Sequence, residues 1–327
     1  MMKKPVVYID GKEGTTGLQI YDRLAAREDI ELLLIDEDKR KDPTERARLM
    51  DRADIVFLCL PDAAAREAVT LVSNPDTRII DASTAHRVHP DWAYGFPELS
   101  DAHREAIRTS RRVANPGCHA TGFISIVYPL VQMGILPADY PVSAFSLTGY
   151  SGGGKKMIAE YENEDKADKL YSPCIYAMTQ QHKHLPEMRH VCGLAMEPVF
   201  CPIVDDYYKG MATTISLHAS KLNGVTGIAD VWKALRDHYQ GQNMVKVYFD
   251  PDPAEGCEPY DGISKLYANA WAGRDDLMIY VTGNDERITI TALFDNLGKG
   301  ASGAAVQNMN IMLGLDETSG LQCGSLQ

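Results

Sequence analysis

Through its first third the chain alternates short apolar strands with helical stretches, and that alternation leaves few folds open. Val6-Val7-Tyr8-Ile9 reads as a buried strand that ends in Asp10-Gly11-Lys12-Glu13-Gly14-Thr15-Thr16-Gly17. A helical pattern follows, with Leu18, Ile20, Tyr21, Leu24 and Ala25 toward a core. Further strands are expected at 30–35, 55–60, 78–81 and 112–114, with a helix at 62–72. Alternation on this scale implies right-handed β-α-β units, and hence a doubly wound, Rossmann-type parallel α/β sheet. Ligands of such sheets bind at the carboxyl edge of the strands.

The first strand-to-helix junction is glycine-rich. A strand, a glycine loop and a helix N-terminus together offer backbone N–H groups to a pyrophosphate. The glycines Gly11, Gly14 and Gly17 are spaced G-x-x-G-x-x-G, not G-x-G-x-x-G, so the context carries more weight than the spelling. Asp36, at the end of the 30–35 strand, stands where an acidic residue holds an NAD ribose. Lys39, Arg40 and Lys41 follow at once and suit a 2′-phosphate. Both cofactors stay open on this segment.

Asn115-Pro116-Gly117-Cys118 lies between the 112–114 strand and a run with Phe123, Ile126, Val127, Leu130 and Val131 at helical spacing. Cys118 therefore opens a helix, where free N–H groups and the positive dipole end favour a thiolate. A small apolar cysteine packed at a turn is the competing reading. Cys59, Cys174, Cys192, Cys201, Cys257 and Cys323 read as structural. Seven scattered cysteines without paired spacing argue against a disulfide framework or zinc ribbon and fit a reducing cytoplasm. The N-terminal stretch from Met1 has no apolar region with a cleavage site, which argues against secretion. No window is long and apolar enough to span a membrane. A net charge of -12 disfavours nucleic acid and anionic membranes, so an anionic substrate needs its own local Lys and Arg. At 327 residues the chain has room for two domains.

Past Cys118 the pattern changes. Segments 142–147, 212–218, 277–281 and 287–293 alternate apolar with polar residues, predicting an antiparallel sheet with one solvated or interface face. Gly283-Asn284-Asp285-Glu286 predicts a hairpin turn, 225–239 a crossing helix, and 299–313 a helix opened by small residues. This half is α+β. Gly149-Tyr-Ser-Gly-Gly-Gly-Lys-Lys156 imitates a phosphate-binding Walker loop but has Lys156 where Ser or Thr must hold Mg²⁺. An NTPase is rejected, and the loop is expected to be an anion-facing glycine turn. His182-Lys-His184-Leu-Pro-Glu187 is open to a metal site, to an acid/base beside a cysteine, or to surface residues near a turn, and Pro186, expected to interrupt a helix there, counts against the metal. Arg87, in the polar loop 81–87, suits a phosphate or carboxylate.

Taken together these motifs resemble the N-acetyl-gamma-glutamyl-phosphate reductases in their shorter-chain form, a family of arginine biosynthesis related to aspartate-semialdehyde dehydrogenase. The matching pieces are Gly11 to Gly17, Asp81-Ala-Ser83, Tyr94-Gly-Phe-Pro-Glu-Leu99, Asn115-Pro-Gly-Cys-His-Ala-Thr121, His182 to Glu187, and Asp295-Asn-Leu-Gly-Lys-Gly through Asn308. They span nearly the whole chain in the family's order. The resemblance implies a dinucleotide-binding domain of residues 1–117 and 298–327. A glyceraldehyde-phosphate-dehydrogenase-like catalytic and oligomerisation domain of 118–297 is implied beside it. Cys118 is implied as nucleophile and His184 as acid/base, with His182 second. Gly11, Glu13, Gly14, Thr15, Thr16, Gly17, Asp36, Ser83 and Asn296 are implied to hold NADPH. Arg87, Asn115, Lys155, Lys183 and Glu187 are implied to hold an acyl-phosphate substrate, without a metal. A cytoplasmic homodimer or homotetramer is the implied assembly. The longer family form usually has threonine where Leu185 stands and arginine at Lys155 and Lys183, which leaves the cationic anchors unassigned. A reductase of aspartyl or acetylaminoadipyl phosphate, a nucleotide-sensing Rossmann protein and a metal-dependent hydrolase are the rival readings.

Overall fold

The computed structural model describes residues 4–248 and 265–323. It forms two compact units, one of residues up to Gly117 with Ala301–Gln322, the other of Cys118–Gly300. The structural reading of Cys257 and the readings of the N-terminal residues 1–3 lie outside the described residues.

The first unit is built on β1 (Val6–Asp10), β2 (Glu31–Leu33), β3 (Ile55–Leu58), β4 (Arg78–Asp81), β5 (Ala93–Tyr94) and β6 (Arg112–Ala114). All pair in parallel, in the order β2-β1-β3-β4-β6-β5. Successive side chains point to opposite faces, and here both faces are covered. Val7, Ile9, Ile55, Phe57, Ile80 and Val113 pack with Ile20 and Leu24 of α1 (Thr15–Ala25). Ala305, Val306 and Met309 of a C-terminal helix, Gly303–Leu313, join that layer. On the other face Tyr8, Val56, Leu58 and Ile79 pack with Leu49 and Met50 of α2 (Pro43–Arg52) and Ala68 of α3 (Asp62–Leu71). Burial on both faces is why these strands read as continuous apolar runs.

Several details depart from the expectations. Leu18 and Ala25 are exposed, because α1 turns only Gly17, Ile20 and Leu24 inward. The strand expected at 30–35 shrinks to three residues at the sheet edge, leaving Leu34 exposed. The 55–60 strand stops at Leu58. The helix α2 was not anticipated, although Asp42 caps it by accepting from the Thr44 N–H and Pro43 stands in its first turn. The helix α4 (Asp101–Thr109), capped by Ser100, was also missed, as was β5, which lies outside β6 at the edge.

The second unit opens with α5 (Cys118–Gln132) and contains a seven-stranded sheet. Its strands are β7 (Ser143–Gly149), β8 (Cys174–Ile175), β9 (Val199–Asp205), β10 (Met211–His218), β11 (Val245–Tyr248), β12 (Leu277–Gly283) and β13 (Arg287–Phe294). The order is β11-β12-β13-β10-β7-β9-β8. The sheet is mixed, not purely antiparallel: β7 with β9 and β11 with β12 are parallel. The strand β9 escaped notice because Pro202 stands in its middle, a residue that cannot donate to a ladder. The hairpin is as expected, with the Asn284 N–H donating to Arg287 O at 2.9 Å. The remaining helices are α6 (Gly154–Tyr161), α7 (Leu185–Cys192) and α8 (Ile228–Tyr239), and Gly303–Leu313 is α9. One sheet face carries α5. The other is covered at one end by Trp271, packed with Ala212, Met278, Tyr280 and Leu293. Elsewhere it leaves Phe145, Val199 and Ile175 exposed at 48%, 57% and 54%. Among the described residues no helix is long and apolar enough to cross a membrane.

Candidate active site

In the first unit the glycine loop is sterically required. Gly11 has φ +85°, and a Cβ there would lie 2.4 Å from Cys59 O. A Cβ on Gly17 would lie 2.4 Å from Gly11 O, so the third glycine lets the helix pack against the loop. Gly14 caps α1, whose first turn at Thr15 and Thr16 has no acidic residue. The cradle and the uncompensated helix start fit a pyrophosphate, and Glu13 is exposed beside them. Asp36 is exposed at the start of a 3-10 turn, its carboxylate accepting from Lys39 Nζ at 2.9 Å. Arg40 pairs with Glu37 in the same way at 2.9 Å. Ser83 is buried, its N–H and hydroxyl donating to the Asp81 carboxylate at 2.9 and 2.8 Å. His86, stacked on Trp92, shares that carboxylate.

The turn before Cys118 is locked from several sides. Arg87, expected at the substrate, donates to the main-chain oxygens of Asn115 at 2.9 Å and Ala82 at 3.3 Å. Asn115, also expected at the substrate, is 1% exposed. Its amide donates to Ala301 O at 2.9 Å and accepts from Asn308 at 3.2 Å. In the structure both residues serve the backbone of the Asn-Pro-Gly-Cys turn.

Cys118 is the first residue of α5 and half-buried. No acidic residue occupies the helix's first turn, so its positive end stays available to a thiolate. Gly300 lies alongside, and a Cβ there would stand 3.0 Å from Cys118 Cβ. Any larger residue would crowd the sulfur-bearing side chain. Two other thiols, Cys59 and Cys192, differ. Burial, then the charges of Asp81 and Asp10, push the Cys59 thiol up, and burial pushes Cys192 up. These are inert surroundings.

Around the start of α5 lies a cluster of rings. His119 is buried, 5.5 Å from His182 and 5.8 Å from His184 between ring centroids, with Phe200 at 5.3 Å. His184 is 3% exposed, and its Nε2 is 4.0 Å from Glu187 Oε1, which is itself buried. A carboxylate beside an imidazole orients it for proton transfer. His182 is half-buried, and its Nδ1 accepts the His184 N–H at 3.2 Å. Pro186 does not interrupt a helix as expected. It sits in the first turn of α7, where its missing N–H costs nothing. Among the described residues no group of three or more His, Cys, Asp and Glu is placed to hold a metal ion.

The Walker-like loop is not anion-facing. The N–H groups of Gly149, Tyr150 and Ser151 donate to the carbonyls of Gly210, Tyr207 and Tyr208. Asn296 braces it, accepting from Gly210 N–H at 2.9 Å and donating to Ser151 Oγ at 2.9 Å. Its amide thus belongs to the second unit's own framework. Lys155 and Lys183 are exposed. Two residues escaped the sequence reading. His119 had one signal, a polar residue directly after Cys118 in an apolar helix; Tyr176, whose hydroxyl is 2.6 Å from His119 Nε2, had none.

Comparison with known proteins agrees with this arrangement. Residues 7–109 match the semialdehyde dehydrogenase NAD binding domain, and residues 118–296 match the semialdehyde dehydrogenase dimerisation domain. The N-acetyl-gamma-glutamyl-phosphate reductases of Brucella ovis and Brucella anthropi are each 47% identical over 315 residues, covering 95% of this chain and 99% of theirs. Among solved structures, aspartate semialdehyde dehydrogenase II of Vibrio cholerae, complexed with ASA, has a TM-score of 0.71 at 14% identity, covering 95% of this chain and 98% of that one. The Candida albicans aspartate semialdehyde dehydrogenase with NADP has a TM-score of 0.65 at 13% identity, covering 95% and 99%. At those identities the likeness is one of fold, a Rossmann-like domain joined to a mixed-sheet domain. The chain is thus an oxidoreductase of the semialdehyde dehydrogenase family, and within it belongs to the N-acetyl-gamma-glutamyl-phosphate reductases.

Proposed function

We propose that the chain reduces N-acetyl-glutamyl 5-phosphate to N-acetyl-glutamate 5-semialdehyde with NADPH, releasing phosphate, as a step of arginine biosynthesis in the cytoplasm. The observation that carries this reading is Cys118 at an uncompensated helix start, with Gly300 clearing its flank and a buried His184–Glu187 pair nearby. Cys118 thiolate attacks the acyl carbon, the C–O bond to phosphate breaks, and a thioester remains on the enzyme. Bound NADPH supplies the hydride that turns the thioester into a thiohemiacetal. His184 holds the Cys118 proton during attack and manages the proton on the thiohemiacetal oxygen as the C–S bond breaks and aldehyde leaves. Glu187 keeps that imidazole oriented.

The first unit would hold the dinucleotide through Gly11, Glu13, Gly14, Thr15, Thr16 and Gly17, with Asp36 and Ser83 beside the loop. Lys39, Arg40 and Lys41 suit the 2′-phosphate that distinguishes NADPH. In the second unit Lys155 and Lys183 are the exposed cations suited to the substrate's phosphate and carboxylate. Asn296 supports the loop that carries Lys155. The chain would act as a homodimer or homotetramer, the second copy covering the Phe145–Val199–Ile175 face of the mixed sheet.

The test is phosphate-dependent oxidation of N-acetyl-glutamate semialdehyde, run beside aspartate semialdehyde and with NADP and NAD separately. Preference for the first aldehyde with NADP is expected. Preference for aspartate semialdehyde would transfer the same chemistry to a different acyl phosphate. No oxidation of either would sink the assignment.

A further inference from the structure

Behind Cys118 runs a chain of four hydrogen-bonded side chains that the reaction just described does not use. Tyr176 Oη is 2.6 Å from His119 Nε2. His119 Nδ1 is 2.7 Å from Ser146 Oγ, and Ser146 Oγ is 2.7 Å from Thr213 Oγ1. His119, Ser146 and Thr213 are all buried, while Tyr176 is half-buried with its ring 6.0 Å from that of His182.

A chain of this kind has a direction, set by how its protons can all find acceptors. If Tyr176 donated inward, His119 Nδ1–H would donate to Ser146 and Ser146 to Thr213. The Thr213 hydroxyl would then be left with a buried proton and no further acceptor among the described residues. In the opposite direction the proton left over is the phenol's, on a half-buried residue and not one sealed in the core. Thr213 donates to Ser146, Ser146 donates to His119 Nδ1, and His119 Nε2–H donates to Tyr176 Oη. The phenol's own O–H is then delivered outward. Either direction needs a neutral imidazole. Burial, then the charges of His182 and Lys183, hold His119 well below its usual value. Either also needs a protonated phenol, and burial followed by the charge of Cys118 pushes the Tyr176 phenol up; the two directions differ in which proton is left over.

The segment carrying Tyr176 is held under strain. Ala177 and Gln180, with φ of 52° and 55°, are the non-glycine residues at positive φ among those described. Gln180 pins the segment to β9, donating to Phe200 O and accepting from Phe200 N–H, both at 2.8 Å. Strained backbone of this kind persists only where surrounding contacts enforce it, and it gathers at functional sites.

We propose that Tyr176 is a further catalytic residue, donating its O–H to the acyl oxygen of the group held on Cys118, and that His119, Ser146 and Thr213 are positioning residues that fix the direction of that donor. The inference rests on the thioester reading. A donor aimed at an oxygen that gains charge during attack and hydride addition acts mainly in the transition state. Tyr176→Phe removes only the hydroxyl, and kcat should fall about 10²-fold with KM little changed. Thr213→Val removes the first donor of the chain and frees Ser146 to turn. Its kcat should fall several-fold, and Thr213→Ser, which keeps the hydroxyl, should recover most of the loss.

The experiment measures kcat and KM for these three variants and for Cys118→Ser, with NADPH binding as the check on folding. Wild-type kcat in Tyr176→Phe, with Cys118→Ser inactive, overturns this proposal and leaves the thioester reading standing. Activity in Cys118→Ser overturns the thioester reading itself. Equal turnover of Thr213→Val and Thr213→Ser overturns the relay, and that pair decides the matter if Tyr176→Phe does not fold.

Discussion

Gly122 sits in the second turn of α5, and replacing it by alanine sets two effects of known size against each other. Alanine favours a helix interior over glycine by about 1 kcal/mol. The new Cβ, however, would lie 2.4 Å from Thr213 Oγ1, 2.6 Å from Thr213 Cβ and 2.8 Å from Phe294 Cε1. Ordinary contact begins near 3.4 Å, so helix and strand must part by roughly 1 Å. Turning the Thr213 side chain cannot relieve a clash with its own Cβ, and the site is buried. Overpacking of a closed core costs about 1–3 kcal/mol, which outweighs the propensity gain over most of that range. We predict a net destabilisation of about 1 kcal/mol, read as a lower denaturant midpoint. Because α5 begins with Cys118 and His119, a shift near 1 Å should also lower kcat by about 10²-fold. Urea unfolding and steady-state kinetics on the one variant test both. A raised midpoint with wild-type kcat would show that propensity won and would refute the close approach of α5 to the sheet.

Other expectations follow from the same geometry. Cys118→Ser should cut turnover by orders of magnitude while isothermal titration finds NADPH binding nearly intact; turnover near wild type would refute the nucleophile. Prolonged chelation should leave activity unchanged, and loss restored by zinc would revive a metal-dependent hydrolase. His119 is buried with its affinity for protons lowered below the ordinary 6.5, so the unfolded chain binds a proton that the folded chain refuses. Its contribution is full above pH 6.5 and declines as pH falls through that value, at up to about 1.4 kcal/mol per pH unit. Stability of His119→Gln, followed from pH 7 to 5.5, should be less steep than wild type; equal slopes would refute the neutral buried imidazole. Phe145→Glu should shift sedimentation to the monomer, and an unchanged assembly would locate the subunit interface elsewhere.

The parallel sheet was legible because β1, β3 and β4 are buried on both faces and so spell themselves as apolar runs. Cys118 was legible for a related reason: a strand, a Pro-Gly turn and a helical period bracket it within a short stretch. Where neighbours distant in sequence decide, the reading failed. The strand β9 exists because its partners β7 and β8 accept it despite Pro202, which no local pattern reports. The partners that Arg87 and Asn115 take within the fold, for Arg87 the carbonyl of Asn115 and for Asn115 the carbonyl of Ala301 and the amide of Asn308, are likewise set by distant segments and not by the local pattern. Tyr176 gains its place through partners remote in sequence, His119 at 57 positions and Pro202, whose carbonyl accepts the Tyr176 N–H.

The first unit is assembled from two pieces of chain separated by the whole of the second. The sheet layer holding Ile107 and Val113 is closed by Val306, Met309 and Met312. Until those residues leave the ribosome, one side of an otherwise finished domain stands open to water. Synthesis order therefore makes the first half of this protein the last to mature, with a sticky surface exposed throughout translation. A stalled nascent chain ending before residue 301 should be cut readily within residues 4–117, and the same region should become resistant once 301–313 has emerged. Protease resistance already present in the shorter chain would show that the N-terminal piece closes on its own.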